Sequence, residues 1–145
     1  MPAWVDEGFK TYQQRLPKHF FPQLIEIPAV TRSSGMTVEK AMAKEGEKML
    51  KSIQPDHHVI ALDERGAQWT SRRLSEHMSD WQSMYSQVSF LIGGADGLSP
   101  ECKQRANQIW SLSKLTLPHG MVRVQLAEQI YRGWSLLQGH PYHRD

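Results

Sequence analysis

Cysteine occurs once in these 145 residues, at Cys102. No internal disulfide can form, which fits a reducing cytoplasm. No apolar run approaches the ~20 residues that cross a bilayer, and no secretory leader is visible. Charge of one sign is also scarce: 17 Lys and Arg face 15 Asp and Glu, a formal net charge of +2. That balance is too weak to imply a nucleic-acid partner by itself. The chain has no G-x-G-x-x-G fingerprint and no phosphate-binding P-loop, which disfavours nicotinamide and nucleotide-triphosphate chemistry. It has no internal repeat and no low-complexity tract.

What remains is an ordinary globular composition, 39% apolar and 22% charged, of a length suited to one domain spanning 1–145. Trp4, Val5, Phe9, Tyr12 and Leu16 recur at helical spacing until Pro17. Residues 24–27 are an apolar strand candidate, and 29–35 a polar loop. Thr37 can cap a helix with Val38, Ala41, Met42, Met49, Leu50 and Ile53 on one face. Residues 58–63 (HVIALD) form a buried-type strand, with a turn over 64–68. Thr70 or Ser71 then caps a helix with Leu74, Met78, Trp81 and Tyr85 inward. Residues 88–92 form the next strand. Ser99, Pro100 and Glu101 open another helix, with a capping hydroxyl, proline at the first position and an acid in the first turn. Residues 109–117 are strand and loop, and Val122, Leu126, Ile130, Trp134 and Leu137 mark a final helix. Strands alternating with helices predict an α/β fold with a parallel sheet covered on both faces.

Three features crowd the last third: Ser89–Pro100 (SFLIGGADGLSP), Ile109–Gly120 (IWSLSKLTLPHG) and Gly139–Asp145 (GHPYHRD). Sheets of this kind bind ligands at the carboxyl ends of their strands. Gly93 and Gly94 would let backbone approach a ligand there. By itself such a pair is most often a plain tight turn. From Lys114 onward Lys114, Arg123, Arg132 and Arg144, with His119, His140 and His143, face only Glu128 and Asp145.

These three runs, with LIEIPA at 24–29, KEGEKML at 44–50 and ALDERG at 61–66, resemble the RlmH family of the SPOUT superfamily over the whole chain. Its members methylate a pseudouridine in large-subunit (23S) ribosomal RNA. The resemblance implies a SPOUT-type α/β knot: a parallel-rich sheet flanked by helices, with a deep C-terminal trefoil knot that holds S-adenosyl-L-methionine. It implies cofactor contacts from Leu62, from Gly93 and Gly94, and from Leu112, Ser113, Lys114, Leu115, Thr116 and Leu117. Without the resemblance, 112–117 reads as an edge strand. The family also implies a cytoplasmic homodimer with each active site completed across the interface. The stripe of Val122, Leu126, Ile130 and Trp134 suits either that interface or an internal core.

The acceptor so implied is N3 of pseudouridine, an imide nitrogen that must lose its proton. His119, His143 and Tyr142 are candidate bases or orienting groups. An arginine could stabilise the developing anion. Arg123 and Arg132 lie roughly 180° apart on a helix, and Arg123 is nearer the cofactor loop. The tail from His140 to Arg144 is expected to face the RNA, with Tyr142 stacking on a base and Arg144 meeting phosphate. A terminal histidine-rich tail is otherwise usually solvated. His140 and His143 lack a third convincing metal ligand, so no metal is expected. Cys102 reads as a small buried residue, although a helix start can activate a thiol. His57 and His58 read as surface residues.

Family chains begin with about ten more residues, a first strand ahead of the segment matched by Met1-Pro2-Ala3-Trp4-Val5; without it, apolar surface and unpaired main chain would be exposed. Two other readings stand beside the methyltransferase. One is a non-catalytic RNA- or ribosome-binding module that kept the fold. The other is a SPOUT methylase of another RNA position, against which the tail HPYHRD argues.

Overall fold

The computed structural model describes every residue except Phe21, Arg32, Ala95 and 143–145. Five α-helices and three strands follow in order: α1 (Ala3–Gln13), α2 (Val38–Lys51), β1 (His58–Gln68), α3 (Ser71–Met84), β2 (Val88–Leu91), α4 (Pro100–Arg105), β3 (Gln108–Ser111) and α5 (His119–Gln138). The helix starts follow from side-chain caps that satisfy otherwise orphaned amides. Thr37 Oγ1 accepts from Lys40 N–H at 3.1 Å and Thr70 Oγ1 from Arg73 N–H at 3.0 Å. Ser99 Oγ accepts from Cys102 N–H at 3.2 Å, with Pro100 at the first helical position. Gly139, at φ 67°, ends α5 in the left-handed conformation that favours glycine.

The strands form one parallel sheet in the order β2-β1-β3. The central strand β1 is buried on both faces, with Val59, Ile60 and Ala61 fully enclosed, as parallel sheets require. On one face Ile60 packs with Leu74, Met78 and Trp81 of α3, Trp110 of β3, and Leu126 and Ile130 of α5. On the other, Val59, Ala61 and Leu91 pack with Leu98 and Cys102 beside α2. Each large apolar side chain so enclosed contributes roughly 1.5–3 kcal/mol.

Helix α5 lies close against two others because of its glycines. A Cβ added at Gly120 would sit 3.0 Å from Val5 Cγ2 of α1, and one at Gly133 2.5 Å from Met78 Sδ of α3. The stripe on α5 is therefore internal: Leu126 and Ile130 belong to the core, and Trp134 packs on its edge. Among the described residues no helix is long and apolar enough to cross a membrane.

Three sequence expectations are corrected. Residues 24–27 are not a strand. No main-chain hydrogen bond joins 23–29 to any other described segment, and a strand needs a partner ladder. The expected turn at 64–68 is absorbed into β1 as an irregularity: Leu62 and Ala67 both pair with Trp110, and 63–66 loop out between them. His58 is buried, not superficial, because it opens the central strand. Its ring stacks on Tyr85 at 4.3 Å and its Nε2 meets Gln108 Oε1 at 2.8 Å.

Candidate active site

Parallel strands all present their carboxyl ends at one edge of the sheet, and loops leaving that edge converge. β1 delivers Leu62, β2 delivers Gly93 and Gly94, and β3 delivers 112–117. The first and third loops are tied together where Thr116 Oγ1 donates to Glu64 Oε2 at 3.0 Å. The first loop is also anchored to α4, by Lys103 Nζ and Asp63 Oδ2 at 2.8 Å. Burial works against the Asp63 carboxylate, but the Lys103 ammonium and the Arg65 amide outweigh it. They hold its pKa below the ordinary aspartate value.

The glycine turn is not a plain one. A Cβ on Gly93 would lie 2.6 Å from the Gly97 carbonyl carbon and 2.8 Å from Leu98 N, so only glycine fits. A Cβ on Gly94 would meet nothing within 4 Å. Gly97 N–H donates to Gly94 C=O at 3.1 Å, with Gly97 at φ 84°.

Residues 112–117 are not an edge strand. Among the described residues, no main-chain hydrogen bond outside the helices and strand ladders reaches them. Ser113 folds the loop on itself: its carbonyl accepts from Ser111 Oγ at 2.8 Å and its hydroxyl from Leu115 N–H at 2.9 Å. Leu115 is 74% exposed. Main-chain groups outside any ladder, next to apolar side chains, suit an adenine ring.

Gly93, Gly94, His119 and Arg123 line one cavity of about 1460 Å³, between α5, β2 and the extended segment 22–30. Arg123 Nη1 pairs there with Glu26 Oε1 at 2.6 Å. Leu62 packs into the main core beside this edge. Leu112 instead faces a second cavity of about 470 Å³, with Tyr12, Trp69, Trp110 and Glu128. The buried Trp110 Nε1 has no hydrogen-bond partner among the described residues.

Tyr142 is not brought to His119 within one subunit. Its hydroxyl donates to Glu128 Oε2 at 2.8 Å, and Glu128 lies nine residues along α5 from His119, roughly 13 Å by helical rise. Burial first, then the Glu128 carboxylate, pushes the Tyr142 phenol well above its ordinary pKa, so it remains a donor. Arg132 also binds Glu128, so the two arginines of α5 do have separate partners. His143 and Arg144 lie outside the described residues. Cys102 is buried, with its thiol towards Gly46 C=O at 3.8 Å. Glu26, Glu64, Lys103 and Glu128 were missed by sequence reasoning. Glu26, Glu64 and Lys103 meet partners 40 to 97 residues away, and Glu128 meets Tyr142 fourteen away, contacts that leave no local pattern; only the Glu128–Arg132 pair is local.

The glycine-only turn thus lines one cavity and Leu112 of the loop lines another. The chain belongs to the SPOUT methyltransferase family: residues 1–143 match the family described as "Predicted SPOUT methyltransferase". A protein of Hahella chejuensis named Ribosomal RNA large subunit methyltransferase H is 49% identical over 145 residues, all of this chain and 93% of that protein. Proteins of the same name in Marinomonas sp. and Saccharophagus degradans are 50% and 48% identical over 144 residues, 99% of this chain and 93% of each relative.

Proposed function

We propose that this protein transfers a methyl group from S-adenosyl-L-methionine to N3 of a pseudouridine in large-subunit (23S) ribosomal RNA. It acts on the assembled ribosome, as a cytoplasmic homodimer whose C-terminal segment forms a trefoil knot. The observation that carries this reading is the glycine-only turn at Gly93, with Gly94 open beside it, on the cavity shared with His119 and Arg123. The names of relatives near 50% identity across the chain support large-subunit ribosomal RNA as the substrate, and the resemblance of the last third of the chain supports the pseudouridine.

The cofactor supplies an electrophilic methyl on a cationic sulfonium. The chain supplies binding and proton handling. Gly94 leaves room for close approach, and the loop amides and carbonyls hold the adenine. His119, at the first turn of α5 on the cavity wall, accepts the imide proton. Arg123, one turn further on, stabilises the imide anion. Because Tyr142 is bound far down α5, the tail serving a given cleft comes from the second subunit. Tyr142 stacks there on a base, with His143 and Arg144 next to the RNA.

The test is methyl transfer from labelled S-adenosylmethionine to ribosomes lacking the modification, with the labelled nucleoside identified. Label on N3 of a large-subunit pseudouridine is the expected result. Label on another nucleoside would assign a different position, and cofactor binding without transfer would favour a non-catalytic ribosome-binding protein.

A further inference from the structure

Glu128 gathers side-chain donors from three residues, Gln129, Arg132 and Tyr142. Its Oε1 accepts from Gln129 Nε2 at 2.8 Å. Its Oε2 accepts the Tyr142 hydroxyl at 2.8 Å, Arg132 Nε at 3.1 Å and Arg132 Nη2 at 2.9 Å. The Arg132 guanidinium also lies 5.1 Å from the centre of the Tyr142 ring. Tyr131 packs on the same ring, centroids 4.6 Å apart and planes at 65°.

The network lies at the margin of the core, where Tyr142 packs on its edge. The side chains of α5 that face the sheet are Leu126 and Ile130, whereas Glu128 and Arg132 keep partial solvent access, 18% and 27%. Its effect is on the chain after the helix. Gly139 turns the backbone, His140 N–H returns to Ser135 C=O at 2.9 Å, and Tyr142 N–H donates to His140 Nδ1 at 3.2 Å. Tyr142 is thereby brought back fourteen positions onto Glu128. Charge-assisted hydrogen bonds converging on one carboxylate are stronger than neutral ones and support one another.

We propose that Glu128 is a positioning residue for the tail: it latches Tyr142 against α5, and so sets the point at which the chain passes to His143 and Arg144. Arg132 is its second member, holding the carboxylate by two nitrogens and the tyrosine ring by its face. The catalytic part of this inference rests on the tail serving methyl transfer as read above. The latch itself is a property of the fold.

The test compares wild type, Glu128→Ala and Glu128→Gln in two assays. Carboxypeptidase digestion followed by intact-mass measurement reads the latch. Trimming should stall at Tyr142 in wild type and run past it in the alanine variant. Turnover on unmodified ribosomes, beside binding of S-adenosylhomocysteine, reads the function. The alanine variant should lose about tenfold or more in kcat with cofactor affinity within about twofold. The glutamine variant keeps an acceptor for the tyrosine and should recover part of the rate. Should the alanine variant fail to fold, as thermal unfolding would reveal, the glutamine variant carries the comparison. A wild-type tail trimmed straight through Tyr142 would overturn the latch. Normal kcat in folded variants with a loosened tail would overturn the positioning role. A stalled digestion in a wild type that methylates no ribosome would sink the functional reading, and the positioning role with it, while leaving the latch standing.

Discussion

Arg123 of α5 and Glu26 of the unpaired segment meet at 2.6 Å, although 97 positions separate them in the chain. The pair places one end of a cavity-wall arginine against a segment that has no strand partner. The hydrogen bond and charge of Arg123 hold the Glu26 carboxyl below its ordinary pKa. A depressed carboxylate keeps its partner above the ordinary glutamate pKa and loses it as pH falls through the lowered value. Carbon-detected titration of the glutamate side chains should therefore find Glu26 ionising below its ordinary value in wild type, and returning to it in Arg123→Ala. The same variant should lose about tenfold or more in turnover on ribosomes, while Glu26→Gln loses less, since it leaves the guanidinium in the cavity.

Asp63 and Lys103 give a second pH dependence. The folded pKa of Asp63 is lowered, so the pair contributes stability above the unfolded aspartate pKa, near 4, and that contribution disappears on acidification through the folded value. Lys103 remains 36% exposed, so solvent screening keeps the effect under about 1 kcal/mol. Urea unfolding between roughly pH 6 and pH 3 should show a shallower loss of stability in Asp63→Asn than in wild type. Identical slopes would mean that the ion pair contributes nothing.

The two glycines of the turn should respond differently to alanine. At Gly93 the new Cβ collides with main chain of Gly97 and Leu98, which cannot swing away as a side chain can. A destabilisation of about 1–3 kcal/mol is expected. At Gly94 the new methyl meets open space. The thermal midpoint should stay near wild type while S-adenosylhomocysteine binding, measured by calorimetry, weakens. Unchanged binding in Gly94→Ala would remove that backbone from the cofactor contacts.

Amide hydrogen exchange should separate real strands from apolar extended chain. Val59, Ile60 and Ala61 are enclosed in the central strand and should exchange only on global unfolding. Residues 24–27 have no main-chain partner, and Ile25 is 60% exposed. Their amides should exchange rapidly. Slow exchange there would mean that a ladder forms in solution.

The helices and the three sheet strands were legible because their signals are local. Thr37, Thr70 and Ser99 cap within three residues, and the first half of β1 reads as a short apolar run over 59–62. Residues 24–27 misled because apolar character is necessary for a strand and insufficient without a neighbour. His58 misled for the converse reason. Its polarity suggested surface, while Tyr85 and Gln108 gave it a stacking face and a hydrogen bond that make burial tolerable.

Apart from the strand expected at 24–27, the sequence by itself determined the order of the elements, the parallel α/β class, the glycine pair after β2 and the membership of the chain in its family. All of these are carried by neighbouring residues or by one continuous pattern. The tertiary structure decided which charges meet. It set Arg123 on Glu26, Thr116 on Glu64, Lys103 on Asp63 and Tyr142 on Glu128. It also decided that the stripe on α5 faces inward and that the tail returns to its own helix. These outcomes depend on how rigid elements pack. Packing is settled by the shape of the whole core, with glycines such as Gly120 and Gly133 permitting the close contacts, and no short stretch of sequence encodes it.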